Sequence, residues 1–472
     1  MPETSRRTFF LAAGAAAAAS SVRAVAPSDT LNVAVIGLGL RGVFHLMKWG
    51  KAFGTRITSV CDVYKPTLER GMKMVADFHG ARPRGYSDMR HIFDDKSVDV
   101  VVLSLASHWH SLATIWACQA GKDVYVEKPA SHNPYEGRKA VEAARKYDRI
   151  VQVGSQGRSM PHKIQAMDLL HKGVIGKVYL AKGLCYKYRP SIGHKPDAPV
   201  PAGLDWDMFL GPAPMRPYNE SRFHYNWNFF WDTGRGDIGT QGPHELDIAR
   251  WGLGKGLPQS LVSTGGKYVY KDDQETPNTQ IATYDYGDSE IVFEVRNMVT
   301  GTEGGLGAKK ASTIAVEEDR KLLEQLVLPH VDATKNNFGS GVGRSTMGNL
   351  FYGNEGWMAM DNSGFQVYRG PDSEQIMDVS WDGKGTRSDG LNAEPHIRNF
   401  LAAVRSRDRK KLNADIETGV TSANLIHLAN ASYRVKRLLQ YDEAGRCFVN
   451  DPEADTYLTR KYRSPYVVPE QV

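Results

Sequence analysis

The segment Leu31-Asn-Val-Ala-Val-Ile-Gly37-Leu38-Gly39-Leu40-Arg41-Gly42 constrains this chain more than any other dozen residues. An apolar run of strand character ends at Gly37, and three glycines follow at the spacing G-x-G-x-x-G. Gly37 suits a tight turn, Gly39 lets backbone amides approach a phosphate, and Gly42 lets the next helix pack closely on the strand. The start of that helix offers free N–H groups and a partial positive charge to an anion. Ile57-Thr-Ser-Val-Cys61 reads as a second strand ending in Asp62, twenty residues after Gly42. A carboxylate there accepts hydrogen bonds from an adenosine ribose, so the pattern predicts a bound dinucleotide. Asp62 favours NAD because it would repel a 2′-phosphate, while Lys65 lies close enough in sequence to admit NADP.

At 472 residues the chain is too long for one ordinary domain. Its formal charge of +6 is spread without any block of five Lys/Arg, which argues for a solvated surface and against a nucleic-acid groove. Residues 1–30 read as an addition to the fold: paired Arg6-Arg7 precede Phe9-Phe10-Leu11 and an alanine-rich run through about Val22. That run is short for a membrane span and carries a charged leading end, as a removable export signal does. The Arg-Arg pair resembles a bacterial twin-arginine signal, which predicts the corresponding export machinery as a partner and a periplasmic or otherwise exported location. The alternative is an N-terminal helix. The four cysteines form no C-x-x-C pair, Cys61 and Cys118 sit in apolar patterns, and no metal site is expected.

Residues 31–155 alternate short apolar strands with amphipathic segments, predicting a parallel, doubly wound α/β sheet of the Rossmann kind. From 156 to 472 aromatic and β-branched runs dominate, as in Gln280–Tyr286 and Glu290–Val295, predicting an α+β domain with a mostly antiparallel sheet. Residues 301–348 are Gly-rich at both ends around a helical Val316–Leu326 and read as a surface excursion.

Two segments carry chemistry. In Asp123-Val-Tyr-Val-Glu127-Lys128-Pro129, a strand ends where a ligand crevice opens in parallel sheets, placing Glu127 and Lys128 beside a nicotinamide. A lysine there favours the alkoxide of a substrate hydroxyl; the plain alternative is a surface ion pair. In Gly234–Trp251, Pro243 suits a first helical turn, so His244 would lie near a helix N-terminus, kept neutral as a general base needs. Asp247, one turn on, would then orient its ring; the alternative is a histidine capping a buried helix end. Phe223–Asp232, with Trp227, offers aromatic faces for sugar stacking or for core, and Tyr186-Lys187-Tyr188-Arg189 offers a polar-aromatic strand end.

Together these motifs resemble the glucose-fructose oxidoreductase / inositol dehydrogenase / rhizopine-catabolism (Gfo/Idh/MocA) family. The resemblance rests on Gly37–Gly42, the Ser104–His110 turn, Glu127-Lys128-Pro129, Leu204–Pro212, Gly234–Trp251 and His396–Phe400. It implies an open C-terminal sheet that mediates dimers or tetramers, a carbohydrate substrate, and catalytic roles for Lys128 and His244. It also implies cofactor contacts from Ser107 and His110 beside Gly37, Leu38, Gly39, Leu40, Arg41, Gly42, Asp62, Glu127 and Lys128. Many such dehydrogenases carry an aspartate four residues before the histidine, where this chain has Thr240; Asp237 lies seven back. The substrate side is therefore expected among Tyr186, Arg189, Trp227, Asp237, Thr240, Gln241 and Asp247. Export without a supply of free dinucleotide predicts a tightly held cofactor returned to its starting state each turnover. Sugar oxidoreduction satisfies this, as does redox-neutral glycoside cleavage; a sugar-binding protein retaining its dinucleotide is a third reading.

Overall fold

The computed structural model describes residues 30–50, 53–298, 345–380 and 393–472. The expected export signal and most of the 301–348 excursion lie outside them; residues 345–348 begin a strand.

The first domain alternates strand and helix as its hydrophobic periodicity requires. Strands β1 (Leu31–Ile36), β2 (Thr55–Cys61), β3 (Arg84–Tyr86), β4 (Val100–Leu103), β5 (Asp123–Val126) and β6 (Val151–Val153) form a parallel sheet in the order β3-β2-β1-β4-β5-β6. β4 and β5 are buried along their whole length, which explains their unbroken apolar runs. The main crossover helices are α1 (Leu40–Lys48), α2 (Lys65–His79), α3 (His110–Gln119) and α4 (Pro134–Lys146). The strand order reverses direction between β1 and β4, and ligands bind at such a switch point.

Helix α5 (Pro161–His171) leads into β7 (Val178–Lys187), and α6 (Gly236–Leu253) follows a long aromatic connection. The second sheet adds β8 (Ser260–Gly266), β9 (Thr279–Asp285), β10 (Glu290–Arg296), β11 (Ser345–Gly353), β12 (Gly356–Met360), β13 (Gly364–Arg369) and β14 (Glu374–Ser380). Helices α7 (Glu394–Ser406) and α8 (Ile416–Val435) precede the short β15 (Leu439–Asp442) and β16 (Cys447–Phe448). The ten strands run in the order β14-β13-β12-β11-β7-β10-β9-β8-β15-β16, antiparallel except for the β7–β10 pair.

Packing does not follow chain order. Ile397 and Phe400 of α7 share a core with Val33 and Val35 of β1, although α7 lies far beyond residue 156. Tyr466, Val468 and Val472 likewise pack with Ile36 and Val126, so the end of the chain braces the first sheet. Helices α6 and α8 cover one face of the second sheet through Leu246, Ile248, Leu425 and Leu428. Among the described residues, no helix is long and apolar enough to cross a membrane.

Candidate active site

The glycine turn is shaped as its spacing requires. Gly37 has φ +86°, and a Cβ there would lie 2.5 Å from the Ser104 carbonyl oxygen. A Cβ on Gly42 would come within 2.0 Å of the Gly37 carbonyl oxygen, so only glycine lets α1 approach β1 this closely. A Cβ on Gly39 would meet nothing within 4 Å. Its glycine therefore leaves open space at the start of α1, on the cavity side. The Asp62 carboxylate accepts hydrogen bonds from the backbone N–H of Leu38 (2.8 Å) and of Tyr64 (2.9 Å). Burial raises its pKa to about 6 against those two bonds and the charge of Arg70. The Ser104 hydroxyl, at the end of β4, is buried without a partner among the described residues and faces the same cavity. An open glycine cradle, a carboxylate at the end of β2 and an orphaned hydroxyl together fit a dinucleotide.

One continuous cavity of about 470 Å³ joins this turn to the second domain. Gly37, Gly39, Leu40, Arg41, Asp62, His110, Glu127 and Lys128 line its first half. Trp227, Thr240, Gln241, His244 and Asp247 line the other. Six expected site residues lie off it. Leu38 is fully buried beneath the turn and acts through its backbone, its N–H donating to Asp62 and its carbonyl accepting from Arg70 (3.5 Å). Gly42 acts through close packing alone. Ser107 turns its hydroxyl to the Thr233 carbonyl (3.1 Å). Tyr186 packs with Leu184, Leu350 and Ala359 on the opposite face of the second sheet and donates to Glu294 (2.9 Å). Arg189 and Asp237 form a buried ion pair (2.7 Å) that pins the first turn of α6.

At the centre, Glu127 follows β5 and accepts from Arg41 Nε at 2.7 Å, with His45 Nε2 at 3.0 Å. Burial would raise its pKa, but the Arg41 charge and the His45 hydrogen bond outweigh this and hold it well below the usual carboxylate range. Gly154 lets the β6 end pass against this carboxylate, since a Cβ there would sit 2.9 Å from it. His110 is braced between the carbonyl oxygens of Pro129 (2.6 Å) and Leu105 (3.0 Å), holding the turn after Glu127. The Lys128 ammonium donates to the Thr240 carbonyl at 2.8 Å, and burial lowers its pKa to about 8.

His244 is neutral for a reason different from the expected one. Helix α6 begins at Gly236, so Pro243 lies inside it and His244 in its third turn, beyond the reach of the N-terminal dipole. Burial first, and then the Lys128 charge, hold its pKa well below 6.5. Asp247 does not orient the ring. It pairs with Arg158 in two hydrogen bonds (2.7 and 2.8 Å) and accepts from Ser422 (2.5 Å). Thr240 donates to Asp237 (2.8 Å), so its hydroxyl steadies α6 while its carbonyl holds Lys128.

Among the cavity residues that sequence reasoning did not assign to the site are three cations. Arg70 of α2 lies beside Asp62, whereas Lys65 is exposed and faces Glu69 at 3.9 Å. Lys187 and Lys163 line the half shared with His244. Strand alternation held the signal for Lys187: its neighbour Tyr186 points the opposite way.

Comparison with known proteins agrees with this architecture. Residues 31–155 match the NAD-binding Rossmann fold of the Gfo/Idh/MocA oxidoreductase family, and residues 161–318 and 382–468 match its C-terminal alpha/beta domain. The chain belongs to that family. Inositol 2-dehydrogenase of Salmonella typhimurium is 26% identical over 159 residues, covering 33% of this chain and 46% of the relative. A glycosyl hydrolase family 109 protein of Shewanella baltica is 24% identical over 201 residues, covering 37% of this chain and 44% of the relative. Both matches span somewhat under half of the relative's length. A levoglucosan dehydrogenase solved with NADH and levoglucosan shares the fold at TM-score 0.59 and 14% identity, covering 87% of this chain and 99% of that one.

Proposed function

We propose that this protein is an NAD-dependent oxidoreductase acting on a secondary alcohol of a sugar or polyol. The observation that carries this reading is the single cavity lined at one end by Gly37, Gly39 and Asp62 and at the other by Lys128 and His244. Gly37, Gly39 and Arg41 would hold the dinucleotide at the glycine turn, and Asp62 its ribose. When bound, the nicotinamide supplies a hydride acceptor. His244, held neutral, takes the proton of the substrate hydroxyl. The Lys128 ammonium, fixed by Thr240, stabilises the alkoxide charge that develops on that oxygen. Glu127 positions Arg41 and His45 behind it. Asp62 on the cavity supports NAD over NADP.

The similarity to inositol 2-dehydrogenase supports oxidoreduction, and that to a family 109 glycosyl hydrolase supports redox-neutral glycoside cleavage as a second reading. Incubation with sugars, polyols and aryl glycosides, without added cofactor, separates them. Reduction of bound nicotinamide with intact glycosides is the expected result, and aglycone release would instead establish the glycosidase. Absence of both, even with NAD supplied, would leave a sugar-binding protein.

Export by the twin-arginine route with the cofactor held tightly belongs to the same proposal, supported by Arg6-Arg7 and the alanine-rich run after them. So does a homo-oligomer joined through the second sheet, where the partly exposed Trp357 and Tyr368 stack at 4.0 Å.

A further inference from the structure

Three lysines converge on the substrate half of the cavity from separate elements: Lys128 after β5, Lys163 on α5 and Lys187 at the end of β7. Each donates to a neutral oxygen. Lys128 bonds the Thr240 carbonyl, Lys163 the Asn362 side chain (2.8 Å) and Lys187 the Gln241 side chain (2.8 Å). Of the carboxylates nearby, Asp361 faces Lys163 but also accepts from the Ser363 N–H and hydroxyl (2.6 Å each). Glu127 is held by Arg41 and His45, and Asp247 by Arg158. Glu245 accepts from the Gln241 amide at 2.8 Å, and burial raises its pKa to about 7, so it opposes the lysine charges only partly near neutral pH. Lys163 and Lys187 share Glu245, and two ammonium groups bonded to neutral oxygens around one partly protonated carboxylate lack the full counter-charge that would offset their desolvation. Lys163 is only 4% exposed.

We infer that the substrate brings this counter-charge: it is an acidic sugar whose anionic group docks between Lys163 and Lys187, beside His244. The inference rests on the sugar site proposed above and narrows its substrate class. Gln241 sets the spacing, since its amide accepts from Lys187 and donates to Glu245. An anion within reach of both ammonium groups makes charge-assisted hydrogen bonds in a site largely shielded from water. A neutral sugar leaves both charges facing hydroxyls.

The test is equilibrium titration of the full chain, loaded with NAD, with matched probes: glucose against glucuronate and against glucose 6-phosphate, and galactose against galacturonate. At least one acidic probe should bind roughly 10- to 100-fold more tightly than its neutral partner. Preference for the uronates identifies a carboxylate, and preference for the phosphate ester identifies a phosphate. The preference should shrink with added salt and collapse in Lys163→Met and Lys187→Met. Acids that bind no better than their neutral partners, or not at all, overturn the inference, as does a preference unchanged in both variants. Tight binding of an acid without nicotinamide reduction would sink the oxidoreductase reading and leave the anion site standing. Turnover of neutral sugars with no preference for acids would do the reverse.

Discussion

Glycines 39 and 42 belong to the same motif, yet the structure gives them opposite tolerances. Gly39→Ala should fold with little loss of stability, because its Cβ meets no protein atom, while weakening dinucleotide binding by intruding on the cradle. Gly42→Ala should cost on the order of 2 kcal/mol, because its Cβ meets backbone that cannot yield. Denaturant melts beside NAD titrations check both; equal melts for the two variants would refute the assignment. Lys128→Met and His244→Gln should each lower turnover by about 10²- to 10⁴-fold with NAD still bound. The Lys128 pKa near 8 also sets a direction with pH. Its ammonium is charged below that value and lost above it, so kcat/KM should fall as pH rises through about 8. A profile flat across that range would remove Lys128 from the alkoxide role.

At the scale of elements, the buried Arg158–Asp247 pair joins the segment before α5 to the middle of α6, and Ser422 of α8 adds a third strut. Arg158→Ala leaves the buried Asp247 carboxylate with only Ser422 and the more distant Arg250 (3.6 Å) and should cost about 3 kcal/mol, measurable by chemical denaturation. The replacement of both residues by apolar ones of similar size should recover much of that loss. Helix α6 positions His244, Gln241 and the Lys128-binding carbonyl of Thr240, so loosening it should also slow turnover.

The whole molecule closes a cavity between two sheets, and α7 together with the C-terminal tail ties the first sheet to later chain. NAD at 100 times its Kd should stabilise the fold by about 2.7 kcal/mol, and NADP should do so only at higher concentration. Equal melting shifts at equal concentrations would contradict the role given to Asp62. If the export proposal is right, protein recovered from the periplasm carries nicotinamide, and Arg6→Lys with Arg7→Lys retains it in the cytoplasm. Cell fractionation with absorbance of the purified protein reads both.

Local chemistry made the first domain legible from the chain alone. A glycine turn, buried β-branched runs and a lysine at a strand end obey rules that span a few residues, and Gly37, Asp62, Glu127 and Lys128 meet at the cavity as their spacing implied. His244 reached the same cavity, although Pro243 suggested a helix start two turns late. Other features depended on partners that no local pattern names. Asp247 meets Arg158 from 89 residues away, and Arg189 meets Asp237 from 48. Lys187 faces the site while Tyr186 turns to the opposite side, because the pleat of β7 reverses every residue and only its packing against α6 says which side is inward. Backbone preference acts between neighbours and can be read in order. The pairing of charges acts through space, and it is settled only once the sheets and helices have packed.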